Sequence, residues 1–399
     1  LSIFIDFGDF PLAGAFLSKD EIVDEKFYPM GMQFCNDCSC VQVDTVIPMD
    51  TLFKNYFYFS SAIQTLKDHF GILADELESK FLKSDSLVVE IGCNDGVFLK
   101  HLANKKIRNV GVDPATNVTN SVNEPGINII NTSFGFQVTE DIKSKYGKAD
   151  AVVSSFSFAH IDDMHDVMAG VENILNEDGI FVFEIYYLGV VIEEKQYDMM
   201  YHEHMSYYTI KCLDMFLEKY GFEIFDIETL KLRSGSLRFY AQNKRKSKFE
   251  INSRVETSRN EEIKQGLTNF DAYNSYGKFI SSTKNDLLDL LNKIKQEGKS
   301  IIGYGASGRA TTIMNYCGID GRYLDYVVDD APAKTGFYTP GTHCQIFTWD
   351  EVEKNEKKPD YALVFAWPFI EEVKKKRSEY LQDGGKFIVP LPKVELIEL

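Results

Sequence analysis

The sequence predicts an α/β protein made of two doubly wound modules behind a small irregular N-terminal domain, and three observations predict it. Short apolar runs alternate with segments of helical period twice along the chain. Each alternating stretch carries a glycine loop between a strand and a helix, Glu90–Gly96 in the first and Gly303–Gly308 in the second. Residues 1–60 show neither period and are aromatic-rich, with Pro11, Pro29 and Pro48 interrupting any long helix.

The 399 residues exceed one ordinary core. The boundaries read as 1–60 for the small domain, 61–245 for the first module, and 246–399 for a linking helix and the second. No apolar run approaches the roughly 20 residues a membrane span needs, and no secretory signal is legible, so a soluble, cytoplasmic protein is expected. A net charge of −17 opposes binding to nucleic acid or an anionic membrane, and neither is an expected partner. The seven cysteines are odd in number and mostly scattered, which favours thiols over a disulfide framework. Cys35 and Cys38 alone have a spacing of interest. They read either as half of a tetrahedral zinc site or as a turn with buried thiols.

Apolar residues at helical spacing (Ile63, Leu66, Phe70, Leu73, Leu77) predict a helix over 61–80. Buried parallel strands follow at 87–91, 109–113, 151–153 and 179–184. Leu213, Phe216, Leu217 and Tyr220 form one helical face, and 238–241 is strand-like. The polar stretch 243–265 reads as a solvated connection, and 266–296 as a long amphipathic helix bridging two domains. A second strand series closes the chain at 300–304, 326–330, 361–365 and 386–389.

In the first loop, Gly92 and Gly96 let backbone approach a ligand, beside Asn94. Glu90 and Asp95 would repel a pyrophosphate and attract a cation such as the sulfonium and ammonium of S-adenosylmethionine. Asp113, at the end of the second strand, is placed to take ribose hydroxyls, a contact shared by nucleotide-binding folds in general. Phe134 and Ser155 end later strands and read as flanking the adenine or as ordinary loop residues. In the second loop, Gly305 and Ser307 lie in dinucleotide spacing, with Asp329 roughly 20 residues on. That turn holds a nicotinamide cofactor or any other pyrophosphate. Arg309 adds a charge suited to phosphate, Lys334 and Tyr338 belong to a segment able to close over the ligand, and Trp367 is placed to stack on a base.

Tyr201-His202-Glu203-His204 lies between the two modules. A zincin needs His-Glu-x-x-His, but the residue four after His202 is Ser206, and the deaminase pattern fails as well. Acid–base work remains: an imidazole as proton acceptor, Tyr201 as donor to developing negative charge, and Glu203 as an orienting or proton-carrying carboxylate. His160 follows a strand of the first sheet and falls near the same crevice.

Taken together these residues resemble the S-adenosylmethionine-dependent sugar C-methyltransferases that act on nucleotide-linked keto-deoxysugars. The resemblance runs nearly the whole length: Gly8–Leu17, the Cys35/Cys38 pair, Tyr56-Phe57-Tyr58, Glu90–Gly96, Ala159-His160, Glu184–Leu188, Tyr201–His204, Gly303–Gly308 and Lys334–Gly341. Tyr-His-Glu-His after a Glu-x-x-Tyr-Leu run is specific to that family; the glycine loops are not. The resemblance implies a class I methyltransferase core, a zinc-binding N-terminal domain, and a C-terminal Rossmann-like domain that holds a nucleoside-diphosphate ketosugar. It implies His204 as the base that forms an enolate, with Tyr201 and His160 polarising the keto oxygen and Tyr56 and Tyr58 covering the sugar. Two departures stand out. The family holds zinc with two cysteine pairs where one is seen here, and it more often has a lysine near Arg309. The competing readings are a nicotinamide-dependent sugar oxidoreductase or epimerase, resting on the second loop, and a noncatalytic sugar-nucleotide-binding protein.

Overall fold

The computed structural model describes residues 1–53, 59–230, 232, 235–354 and 358–399. Its first strands are β1 (Ser2–Pro11), β2 (Phe27–Phe34) and β3 (Val41–Val43), followed by β4 (Leu87–Ile91), β5 (Arg108–Val112), β6 (Ile129–Ile130), β7 (Ala149–Ser155) and β8 (Leu175–Tyr186). Then come β9 (Ser206–Tyr207), β10 (Phe222–Leu230), β11 (Ser236–Asn243), β12 (Ile301–Tyr304), β13 (Val327–Val328), β14 (Ile346–Phe347), β15 (Tyr361–Val364), β16 (Lys386–Val389) and β17 (Glu395–Ile397).

The central sheet runs β10-β11-β8-β7-β4-β5-β6. β8, β7, β4, β5 and β6 are parallel, and β11 is antiparallel to both β8 and β10. This is the expected class I methyltransferase sheet. Every residue of Leu87-Val88-Val89-Glu90-Ile91 is buried, because helices cover both faces of a parallel strand. The apolar cores on the two faces separate cleanly: Val89 and Ile91 point to one, Val88 to the other. Strand order reverses at β4, which opens a crevice beyond its carboxyl end. The second Rossmann-like sheet, β14-β13-β12-β15-β16-β17, reverses in the same way at β12. No helix among the described residues is long and apolar enough to cross a membrane.

Two expectations are corrected. The N-terminal segment is an ordered antiparallel sheet, β1-β2-β3-β9, in which Ser2 opposes Phe34 and Pro11 opposes Phe27. Bulges between Ile3 and Ile5 and between Asp6 and Gly8 break the alternation that would have revealed the strand, and Gly8 takes a left-handed φ of 83°. The fourth strand, β9, comes from the stretch directly after His204, so the candidate catalytic loop is sewn into this sheet. The long helix Phe270–Gln296 passes under it: Tyr273 stacks on Phe34 at 4.5 Å, and Gly277 lies so close to Phe4 O that a Cβ would sit 2.2 Å away.

The polar stretch before that helix is likewise ordered. Asn252 caps a helix over Ser253–Lys264 by accepting from Arg254 N at 3.0 Å. Its anchor is an acid. Glu262, 2% exposed, accepts from Tyr187 Oη at 2.9 Å and from the amides of Ile210 (2.5 Å) and Lys211 (2.9 Å). Those amides open the helix Ile210–Glu218, where a carboxylate meets the positive end of the helix dipole. Composition hid this contact, since the buried group is charged.

Replacing Glu262 by Ala would strand those donors in the interior. Chemical denaturation should show a loss of about 2–4 kcal/mol. A change within about 0.5 kcal/mol, typical of an open surface position, would mean that the buried carboxylate contributes nothing.

Candidate active site

At the end of β4 the chain must turn sharply beneath Ser157. Gly92 has φ of 71°, and a Cβ there would meet Ser157 Cβ at 2.6 Å, so no other residue fits. Asn94, also left-handed at 50°, donates its amide to Asp113 Oδ2 at 2.8 Å, while Ala115 N donates to Oδ1 at 2.8 Å. The carboxylate of Asp113 is thereby aimed into a cleft of about 420 Å³. Gly92, Asn94, Phe134, Ser155 and His160 line the same cleft.

Three residues expected there lie elsewhere. Glu90 is buried beneath the loop at 3% exposure, and its Oε2 has no partner among the described residues. Burial, then the neighbouring carboxylates of Asp113 and Asp95, push its pKa well above the usual range. Asp95 accepts from Ser61 N at 3.1 Å and, with Gly96, faces an outer groove instead of the cleft. Burial also raises Asp113 against its two backbone donors. Buried acids crowded around one loop are best relieved by a cationic ligand.

Tyr201–His204 forms a tight turn, His204 N donating to Tyr201 O at 2.9 Å. Met205 next to it bonds both sides, its amide to Ala159 O at 2.8 Å and its carbonyl accepting from Val43 N at 3.0 Å. His204 is 3% exposed, and its Nδ1 lies 2.7 Å from Met199 O. A carbonyl only accepts, so this contact places the proton on Nδ1 and leaves Nε2 of the neutral ring as acceptor. Tyr201 Oη lies 3.2 Å from that Nε2. His160 is held in the same way, Nδ1 to Glu203 O at 2.7 Å, with its ring centroid 4.9 Å from that of His204. Two imidazoles with their Nδ1 protons committed to backbone and a phenol beside them make a candidate proton-transfer centre. Burial holds the Tyr201 phenol well above its ordinary pKa, so it keeps its proton.

The other two members turn away. His202 is 1% exposed, bonds Pro29 O at 3.0 Å, and has its pKa lowered by burial; it anchors the loop to β2. Glu203 accepts from Gly14 N at 3.0 Å. Burial lifts its pKa to about 7.

The second glycine loop touches this centre directly. A Cβ on Gly308 would lie 3.1 Å from the Tyr201 ring. Gly305 takes φ of 96°, and Ser307 caps the helix Gly308–Cys317 by accepting from Ala310 N at 3.3 Å. The charge of Arg309 is not offered to a phosphate, as its position suggested. Its Nη1 lies 3.1 Å from Oδ1 of buried Asp198 and its Nη2 2.8 Å from Gln196 Oε1. Trp367 donates its indole N–H to the same carboxylate at 2.7 Å and lies under the guanidinium, so it is fixed as part of this contact. Lys334 donates to Ala306 O at 2.6 Å and pairs with Asp329 at 3.2 Å. Tyr338 is half-buried and bridges Leu17 and Gln345 through its backbone. Tyr56 and Tyr58 lie outside the described residues. No motif marked Asp198, whose one available signal was an acid three residues before Tyr201; Gly14 lay within the Gly8–Leu17 stretch of the resemblance, with no role attached to it.

Cys35 and Cys38 sit on a turn closed by Cys35 N to Cys40 O and Ser39 N to Cys35 O, both 2.8 Å. A hydrogen bond with the Cys212 thiol, then burial, keeps the Cys38 thiol protonated. The pair offers two of the four donors a structural zinc needs, and among the described residues no group of three or more His, Cys, Asp or Glu could hold a metal.

Three family profiles match in tandem: a "putative zinc binding domain" over residues 1–53, a methyltransferase domain over 66–227, and a C-methyltransferase C-terminal domain over 231–392. The C-methyltransferase NovU of Streptomyces niveus is 31% identical over 395 residues, covering 98% of this chain and 93% of that protein. Among solved structures, magnesium protoporphyrin IX methyltransferase of Synechocystis aligns with 49% of this chain and 99% of its own, at 13% identity and a TM-score of 0.36. An Archaeoglobus fulgidus S-adenosylmethionine-dependent methyltransferase aligns with 43% and 93%, at 16% identity and 0.35.

The raised Glu203 has a measurable consequence. Its folded pKa of about 7 exceeds the ordinary 4.5, so the protonated fold is favoured. That stability is complete below the ordinary value and is lost as pH rises through about 7. Glu203→Gln cannot ionise. Unfolding free energies should therefore nearly match wild type near pH ~5 and exceed it near pH ~8.5 by about 3 kcal/mol. A difference that does not change with pH would remove Glu203 as the titrating group.

Proposed function

The chain belongs to the C-methyltransferase family, and from that premise we propose that it methylates a carbon of a nucleoside-diphosphate 4-keto-deoxysugar, with His204 as the base. Carbon methylation from S-adenosylmethionine follows from the family. The sugar and the base are the reading added here, and one observation carries it. The His204–Tyr201 pair lies between the mouth of the Asp113 cleft, through His160, and the Gly308 turn of the second glycine loop.

Carbon beside a ketone becomes nucleophilic only after losing a proton, and water alone does not remove it fast enough. Nε2 of His204, with the other ring nitrogen pinned by Met199 O, is preset to accept that proton. Tyr201, protonated and a hydrogen bond away, donates to the oxygen on which enolate charge develops, and His160 completes the polar wall. S-adenosylmethionine, when bound, supplies the electrophilic methyl. It leaves sulfur neutral, so the protein needs no acid there. The remaining tasks are alignment and exclusion of water. The second glycine loop, at the end of β12 and the start of a helix, suits a diphosphate. A nicotinamide reading draws on the same loop, but Asp329, its ribose ligand, is paired with Lys334 at 3.2 Å, a counter-ion that Asp113 of the first module lacks among the described residues.

Labelled S-adenosylmethionine and a 4-keto-6-deoxy nucleotide sugar should give label on carbon. Label on oxygen, or none across a panel of such sugars, removes this substrate class. With a competent sugar, His204→Ala should lower turnover by about 10³-fold or more and abolish solvent deuterium exchange next to the ketone, while donor binding is kept. Retained exchange would dismiss His204 as the base.

A further inference from the structure

We infer that Asp198 is a positioning residue for carbon methylation, clamping the Tyr201–His204 turn against the second glycine loop through Arg309 and Trp367. The inference rests on the reading above that the sugar diphosphate sits on that loop.

Asp198 is fully buried, 0% exposed, on the short turn Tyr197–Met199. Both of its oxygens are engaged from the C-terminal module: Oδ1 and Oδ2 lie 3.1 and 3.2 Å from Arg309 Nη1, and Oδ2 accepts the Trp367 indole N–H at 2.7 Å. Arg309 reaches back to Gln196 on the same turn at 2.8 Å. One helical turn later Thr312 Oγ1 donates to Met200 O at 3.1 Å. Residues 196, 198 and 200 are thus each tied to a module more than 100 residues away in sequence, immediately before Tyr201.

A buried carboxylate is an expensive way to join two surfaces. Apolar side chains of similar volume do it at less cost, and an ion pair fixes direction where they do not. Direction is what this junction requires. His204 is carried by the methyltransferase core, whereas the sugar carbon it must reach would be held by the C-terminal loop. An error of about 1 Å between them costs on the order of 100-fold in rate. Arg309 therefore acts through Asp198, and its charge is absent from the diphosphate contact.

Three variants test this: Asp198→Asn, Arg309→Lys, and the double variant Asp198→Asn/Arg309→Gln, which removes both charges. Each should lower kcat by about 10- to 100-fold while leaving KM for the sugar nucleotide within about threefold and donor binding unchanged. The double variant should recover thermal stability relative to Asp198→Asn without recovering kcat. Hydrogen–deuterium exchange, which needs no substrate, should show faster exchange at the amides of 199–204 in every variant, with β4 and β7 unchanged. A raised KM with unchanged kcat would make Arg309 a diphosphate ligand and overturn the inference. So would kcat returning with stability in the double variant, or unaltered exchange at 199–204. Wild-type protein that methylates no keto-sugar nucleotide would sink the substrate reading instead, and the exchange experiment would still decide the clamp.

Discussion

The structure depends on the first two turns of one helix, Gly308–Cys317. Gly308 has no side chain, which lets the Tyr201 ring lie against the backbone. Arg309 holds Asp198, Thr312 holds Met200 O, and Thr311 Oγ1 donates to Ala13 O at 3.2 Å. Adjacent residues of a single helix therefore grip the Tyr201–His204 loop and the N-terminal segment together. The gripped parts then bond to each other, Gly14 N to Glu203. A helix is stiff over this length, so three parts of the chain share one frame of reference.

Packing continues what the hydrogen bonds begin. One apolar core runs without a break from β1 and β2, through Tyr273 and Ile280 of the long helix, to Ile301 and Leu363 of the C-terminal sheet. The methyltransferase sheet has its own cores on its two faces. The loop carrying His204 spans these bodies, through Met205 to Val43 on one side and to Ala159 on the other. A site at the boundary between cores is open to both sheets, while its side chains are held from both sides.

Much of this was legible in the sequence wherever one local rule governs. β4, β5, β7 and β8 announced themselves because a strand buried on both faces must be apolar throughout. Gly92 stood out as a point of close approach to a ligand, and the group that comes close in the structure is Ser157. Legibility failed where partners are remote and polar. Glu262 looks solvated until the amides of Ile210 and Lys211 meet it from 52 and 51 residues away. Arg309 reads as a phosphate ligand until Asp198 is found beside it, 111 residues earlier. β1 was hidden by its bulges, and β9 by its two-residue length. Periodicity reports burial against an apolar core, and it is silent about buried charge.

The same limit explains why the two histidines of one tetrapeptide cannot be told apart by sequence. Both are buried, and each donates a ring N–H to a backbone carbonyl. The carbonyl differs. His202 faces Pro29 on β2, and burial disfavours its charged form. His204 faces Met199, the residue after Asp198, so the clamp that fixes the turn also fixes which nitrogen carries the proton. With Nδ1 committed, the basic nitrogen points toward Tyr201 and the second glycine loop. For the proposed base, what matters is the direction of its lone pair, and that direction is set through Met199 by the neighbouring buried carboxylate of Asp198.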